Sequence, residues 1–136
     1  AYGYGSLNDF IEIIKMKNIK NFKLNKFTQN IIEKIINFDV LLHPSYREGL
    51  SVSIMQSLQY NIPIIARDIV GNKDLIKNNK NGFLFKTDKE MIEKLKILYI
   101  NKNLRKKFSY NASKSITYDY LKPHINKKIK KFINKF

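Results

Sequence analysis

Cysteine and tryptophan are missing from the chain, and proline occurs only three times. Without cysteine there is no disulfide framework and no thiolate metal site, which agrees with a reducing compartment. No apolar run approaches the ~20 residues that span a bilayer. Acidic groups are scarce: 11 Asp and Glu face 26 Lys and Arg, a net charge of +15. That excess favours anionic partners, whether nucleotide phosphates, nucleic acid or anionic lipid. Arginine stands only at 47, 67 and 105, while Lys, Asn and Ile recur throughout. Much of the charge is therefore a compositional bias.

Catalytic hardware is also sparse. No Ser is set with a matching base, and no Asp-x-Asp cluster is present. His43 and His124 are single, with no second ligand at zinc-like spacing. A packed or hydrogen-bonded role suits His43 better than a catalytic one, although its place at a strand end keeps that option open.

What is present is a chain of 136 residues, one domain's worth or less. Its organising stretch runs from Asp39 to Arg67. Val40 to Leu42 is an apolar strand that ends at His43-Pro44-Ser45. A polar loop carries Arg47, Glu48 and Gly49, and a helix follows over about Ser51 to Tyr60. Asn61-Ile62-Pro63 turns the chain into a second strand, Ile64 to Ala66. This βαβ pattern predicts parallel strands with the helix across one face. Ligands bind beyond the carboxyl ends of such strands, where Ser45 to Leu50 should lie.

Around this unit, Tyr2 to Gly5 reads as a strand end and a Gly-bearing turn, followed by a helix over about 7 to 17. Alternation predicts a short strand from Ile19 to Leu24. Thr28 is a candidate N-cap for a helix with Ile31, Ile32, Ile35 and Ile36 as its apolar stripe. Asp68 to Asn72 reads as a second strand-end loop, with Asn72 capping a short helix that contains Leu75 and Ile76. Gly82 to Phe85 is a strand. Thr87-Asp88 opens a helix that Asn101-Lys102-Asn103 breaks, and a further helix runs to about Ser115. Residues 118–136 form a closing basic amphipathic helix, which suits packing on a domain and also suits peripheral contact with an anionic membrane. The fold class is α/β: a Rossmann-like parallel sheet flanked by helices.

Two features of the central loop carry chemistry. Backbone N–H groups at 50 to 52 enter a helix and lack intrahelical partners, which suits a phosphate or diphosphate. Glu48, just before them, is a good acceptor for sugar hydroxyls. Together they point to a nucleotide sugar, while an acidic residue stabilising the helix dipole accounts for Glu48 equally well.

The stretch FDVLLHPSYREGLSVSIMQSLQYNIPIIARDIVGNKDLI, with the later NGFLF, closely resembles the donor-binding half of GT-B glycosyltransferases of family 4, the group 1 retaining enzymes. Their pattern is a strand ending in Pro-Ser, then Glu-Gly-Phe/Leu, then a helix with a second Glu eight residues after the first. The resemblance reaches nearly the whole chain. It implies transfer of a sugar, with retention of configuration, from a nucleoside diphosphate sugar of UDP or GDP type to a glycan or lipid-linked acceptor, with no metal or other cofactor. It gives Glu48 a catalytic part and contact with the sugar hydroxyls, and gives Gly49, Leu50 and Ser51 contact with the sugar and diphosphate. Gln56 stands where the second Glu grips the ribose. The Lys26-Phe27-Thr28 loop matches the base-contacting segment.

The resemblance further implies that residues 1–136 are a partial nucleotide-sugar-binding domain. The first strand-helix unit and the N-terminal acceptor domain are expected upstream, the latter as a partner in catalysis, with an exposed sheet edge where the first strand belongs. A cytoplasmic location is expected, peripheral to the inner face of the membrane. Two alternatives stay open: an epimerase-like relative that binds nucleotide sugar without transfer, and a basic nucleic-acid-binding module. Most aromatics fall on apolar stripes rather than among lysines on one surface, which disfavours nucleic acid.

Overall fold

The strand Ile64–Arg67 is buried at every residue, and the layers of the molecule are built on it. The computed structural model describes residues 15–18, 20–23, 25 and 28–115, with backbone alone at 113. The chain divides into two compact units, Ala1–Ile31 and Ile32–Phe136. Its elements are α1 (Ile31–Ile35), β1 (Leu41–His43), α2 (Val52–Gln59), β2 (Ile64–Arg67), α3 (Val70–Leu75), β3 (Gly82–Phe85), α4 (Asp88–Ile100) and α5 (Lys102–Ser115).

In the first unit Lys15 and Met16 are helical. Asn18 takes a left-handed φ of 47° and returns its N–H to Lys15 O at 3.1 Å. The expected strand over 19–24 is not borne out where it is described, because Lys20 and Asn21 lie in a turn. The left-handed Asn18 redirects the chain, and Phe22 stays 43% exposed. Thr28 makes a local turn rather than an N-cap, accepting from Asn30 N at 3.1 Å. Gly3, Gly5, Lys26, Phe27, His124 and the closing helix over 118–136 lie outside the described residues.

In the second unit the order is β1-β2-β3, all parallel. Leu41 pairs with Ile64 and His43 with Ala66; Ile64 pairs with Gly82 and Arg67 with Phe85. The parallel pairing predicted for the βαβ unit is thus present, and β3 joins β2 parallel on its other edge. β1 begins one residue later than expected, and β2 runs one residue further. Being central, β2 is covered on both faces, which explains its continuous apolar run. Ile64 and Ala66 pack with Ile54 and Leu58 of α2, Leu75 of α3, Ile76 and Ala112. Ile65 points the other way, to Phe83, Phe85, Leu98 and Phe108. Phe83 and Phe108 meet edge to face, with ring centroids 5.0 Å apart.

α2 has both ends specified locally. Ser51 is the N-cap, and its hydroxyl accepts from Ile54 N. At the other end Asn61 adopts φ 62°. Ile62 N donates to Ser57 O at 2.8 Å and Asn61 N to Leu58 O at 3.1 Å, the paired bonds of a Schellman stop.

Two helices differ from expectation. α3 starts at Val70 after Ile69, so Asn72 lies inside it rather than capping it. Asn72 is fully buried and its Nδ2 donates to Arg67 O at 2.9 Å; this bond back to the strand end has taken the side chain that a cap would use. In α1 only Ile35 is buried, while Ile32 and Ile36 are 37% and 51% exposed.

The expected start of α4 is borne out: Thr87 Oγ1 accepts from Glu90 N at 3.2 Å, and Glu90 Oε2 accepts from Lys86 N at 2.9 Å. Replacing Thr87 by Ala should destabilise the fold by about 1 kcal/mol in urea unfolding. The Lys86 N–H foremost, and the charge of Lys94, hold the Glu90 carboxyl below its usual range. A depressed carboxyl contributes stability above its unfolded pKa and loses it as pH falls. The Tm of Glu90→Gln should therefore fall less on acidification than that of the wild type, and parallel falls would refute this.

Candidate functional site

The carboxyl ends of the three strands are His43, Arg67 and Phe85, so the segments that follow them gather at one end of the sheet. The segment after β1 is the longest and carries the polar residues singled out above. His43 is the last residue of β1, with its side chain 14% exposed. Its Nε2 lies 3.2 Å from Glu48 Oε1 and 3.4 Å from Ser51 Oγ. Ser51 Oγ also lies 3.0 Å from Ser53 Oγ. The strand end thus ties Glu48 to the start of α2. His43 serves as a hydrogen-bonded strand-end residue, and the Ser51 hydroxyl is occupied as the cap of α2.

The Glu48 side chain remains 31% exposed, and Leu50 49%. Gly49 has open space beside it, where a Cβ would meet nothing within 4 Å. Because Ser51 is the cap, the first-turn amides belong to Val52 and Ser53; Ile54 N is taken by Ser51 Oγ, and Met55 N reaches Ser51 O. Val52, the last of the amides the sequence points to, thus lies in the first turn, and Ser53 follows it. Gln56 is half-buried, one turn beyond Val52 on the same face of α2. Its carboxamide makes no hydrogen bond among the described residues. Of the Lys26-Phe27-Thr28 segment only Thr28 is described, in the first unit.

Three residues to which sequence reasoning gave no part in the site shape it. Gly71 in α3 packs against the loop so closely that a Cβ there would run into Gly49 O, with Gly49 C at 2.7 Å and Glu48 O at 2.9 Å. Arg67, 8% exposed at the end of β2, donates from Nε to Pro44 O at 3.0 Å and stacks on Tyr46. Asn72 holds the Arg67 carbonyl. A lone arginine after a strand and a glycine in the following turn were the only signals. Among the described residues no three His, Asp or Glu side chains converge as a metal site requires.

Residues 5–115 match the family model described as glycosyl transferases group 1. The chain belongs to this family. Among the relatives of this group 1 glycosyltransferase chain is the poly(ribitol-phosphate) alpha-N-acetylglucosaminyltransferase of Staphylococcus aureus, 30% identical over 140 residues, covering 99% of the chain and 28% of the relative. The glycosyltransferase 1 domain-containing protein 1 of Xenopus tropicalis is 28% identical over 96 residues, covering 70% and 28%. The chain therefore spans little more than a quarter of the length of these two relatives. A crystal structure of a TarM mutant from S. aureus, in complex with Fondaparinux, alpha-GlcNAc-glycerol and UDP, superposes with a TM-score of 0.88 at 30% identity, over 98% of the chain and 28% of that structure. Anabaena HepE in complex with UDP gives 0.88 at 18% identity over 96% and 37%, a likeness of fold. The α/β Rossmann-like architecture of this group 1 chain is thus that of GT-B glycosyltransferases.

Proposed function

We propose that this chain is the donor-binding domain of a retaining, family 4 glycosyltransferase, taking a nucleoside diphosphate sugar of UDP or GDP type. The observation that carries the reading is the Glu48 carboxylate at the sheet's carboxyl end, anchored 3.2 Å from His43 and beside the open first turn of α2. In this reading Glu48 accepts from sugar hydroxyls and takes part in catalysis. The amides at Gly49, Leu50 and Ser51, with those of the first turn, face the sugar and diphosphate. Negative charge grows on the diphosphate as it leaves, and the helix end stabilises it without a metal or other cofactor. Gln56 meets the ribose, and the Lys26-Phe27-Thr28 loop meets the base.

An N-terminal domain would bind the glycan or lipid-linked acceptor and orient it, and without it transfer is not expected. The excess of 26 basic over 11 acidic residues suits work on the cytoplasmic face of an anionic membrane.

The test is titration with UDP, GDP and their sugars against short oligonucleotides across a range of salt. Saturable, salt-tolerant binding of one nucleotide sugar is expected; tight oligonucleotide binding with no nucleotide response would refute the reading. A neutral Gln56 makes a weaker ribose contact than a carboxylate, because charge-assisted bonds are roughly twice as strong. Gln56→Glu should therefore tighten nucleotide binding by about fivefold, a gain near 1 kcal/mol. Unchanged or weakened binding in that variant would remove Gln56 from the site.

A further inference from the structure

We propose that Arg67 is a positioning residue for the sugar-donor site, setting where the loop that bears Glu48 stands. The inference rests on the donor-site reading above for its functional consequence, though not for its geometry. The guanidinium joins segments far apart in sequence. Nε donates to Pro44 O at 3.0 Å, Nη1 to Lys86 O at 3.2 Å and Nη2 to Asp88 Oδ1 at 3.3 Å. It lies 3.8 Å from the centroid of the Tyr46 ring and 5.0 Å from that of Phe85. The loop after β1 is thereby fastened to the turn after β3, across the end of β2.

The energetics favour a geometric role. The Arg67 side chain is only 10% exposed, while its acidic partner Asp88 is 74% exposed. A carboxylate that open to water contributes little as an ion pair. The buried charge is instead balanced by two backbone carbonyls and two aromatic faces. Tyr46 is itself 73% exposed, so the stack on Arg67, rather than burial in a core, fixes its ring. Three of the five guanidinium N–H donors are thus engaged by the protein itself.

The same residue acts at both ends of the loop. Its side chain holds Pro44 and Tyr46 where the loop begins. Its carbonyl accepts from buried Asn72 in α3 at 2.9 Å, and α3 carries Gly71, against which Gly49 packs. Glu48 lies between these two tethers. Lysine at this position keeps the charge but not the planar fork that reaches both carbonyls.

The experiment compares wild type, Arg67→Lys and Tyr46→Ala by amide hydrogen exchange and by titration with UDP-glucose, UDP-N-acetylglucosamine and free UDP. In Arg67→Lys, exchange over residues 45–50 should rise by about tenfold while the amides of β2 and α5 keep their protection. Affinity for the UDP-sugar that wild type binds should drop by about tenfold and that for UDP by less, because UDP keeps the loop's diphosphate amides as a ligand and lacks only the sugar that Glu48 meets. Tyr46→Ala, which leaves the carbonyl bonds, should fall between. Unchanged exchange over 45–50 in Arg67→Lys would overturn the proposal. So would a uniform rise across the sheet with equal losses for sugar nucleotide and UDP, which marks a merely structural arginine. Loop-confined exchange with no wild-type binding of any probe would uphold the positioning role and refute the donor-site reading instead.

Discussion

Glu48→Gln should weaken binding of the nucleoside diphosphate sugar by about 10- to 100-fold while changing the affinity for the free nucleotide diphosphate by less than about threefold. The size follows from the type of bond. Hydrogen bonds to a charged group contribute about 1.5–3 kcal/mol each, against about 1 for neutral pairs. Glutamine keeps the length of the side chain and one acceptor, so packing is little changed and the charge is what disappears. The selectivity follows from location, since Glu48 sits before α2 while the proposed reading gives the diphosphate and ribose to the helix end and Gln56. Calorimetric titration of both ligands decides the matter. Equal losses for sugar nucleotide and nucleotide would place Glu48 away from the sugar, and unchanged affinities would leave it as the dipole-stabilising residue of α2.

The second large effect is on stability. Gly71→Ala should lower the unfolding free energy by about 2–4 kcal/mol, at the upper end of what overpacking costs. Alanine is ordinarily the better helix former, by about 1 kcal/mol over glycine, and Gly71 is a helical residue of α3. Packing reverses the sign here. The added carbon would run into Gly49 O and lie 2.7 Å from Gly49 C and 2.9 Å from Glu48 O. All three are backbone atoms that cannot rotate aside, so either α3 or the loop must move. Moving the loop displaces Glu48, and nucleotide-sugar binding should be lost with the stability. Gly49→Ala is the internal comparison: its added carbon meets nothing within 4 Å. Its stability should change by no more than about 0.5 kcal/mol. Similar urea midpoints for the two variants would contradict the packing argument.

Much of the secondary structure was legible because its causes are local. Gly82 to Phe85 formed the expected strand, Thr87 capped the expected helix, and Asn101 followed its last residue. Asn61 took the left-handed stop that its side chain tolerates. Where local rules misled, the residues' actual surroundings decided otherwise. Asn72 looks like a cap and is instead a buried donor to the Arg67 carbonyl. The alternation at Ile19 to Leu24 looks like a strand, yet Lys20 and Asn21 lie in a turn and Phe22 stays 43% exposed.

The sequence by itself determined the βαβ unit between Asp39 and Arg67, the parallel sheet it builds, and the candidacy of Glu48 and the turn into α2. Periodicity, capping and strand-end placement act over a few residues, and they can be read directly from the letters. Tertiary structure alone decided that His43 anchors Glu48, that Gly71 abuts Gly49, and that Arg67 gathers Pro44, Lys86 and Asp88. The three Arg67 bonds span 23, 19 and 21 residues. Bonds over such separations exist only after the strands have paired and brought their ends together, so no local pattern in the chain announces them.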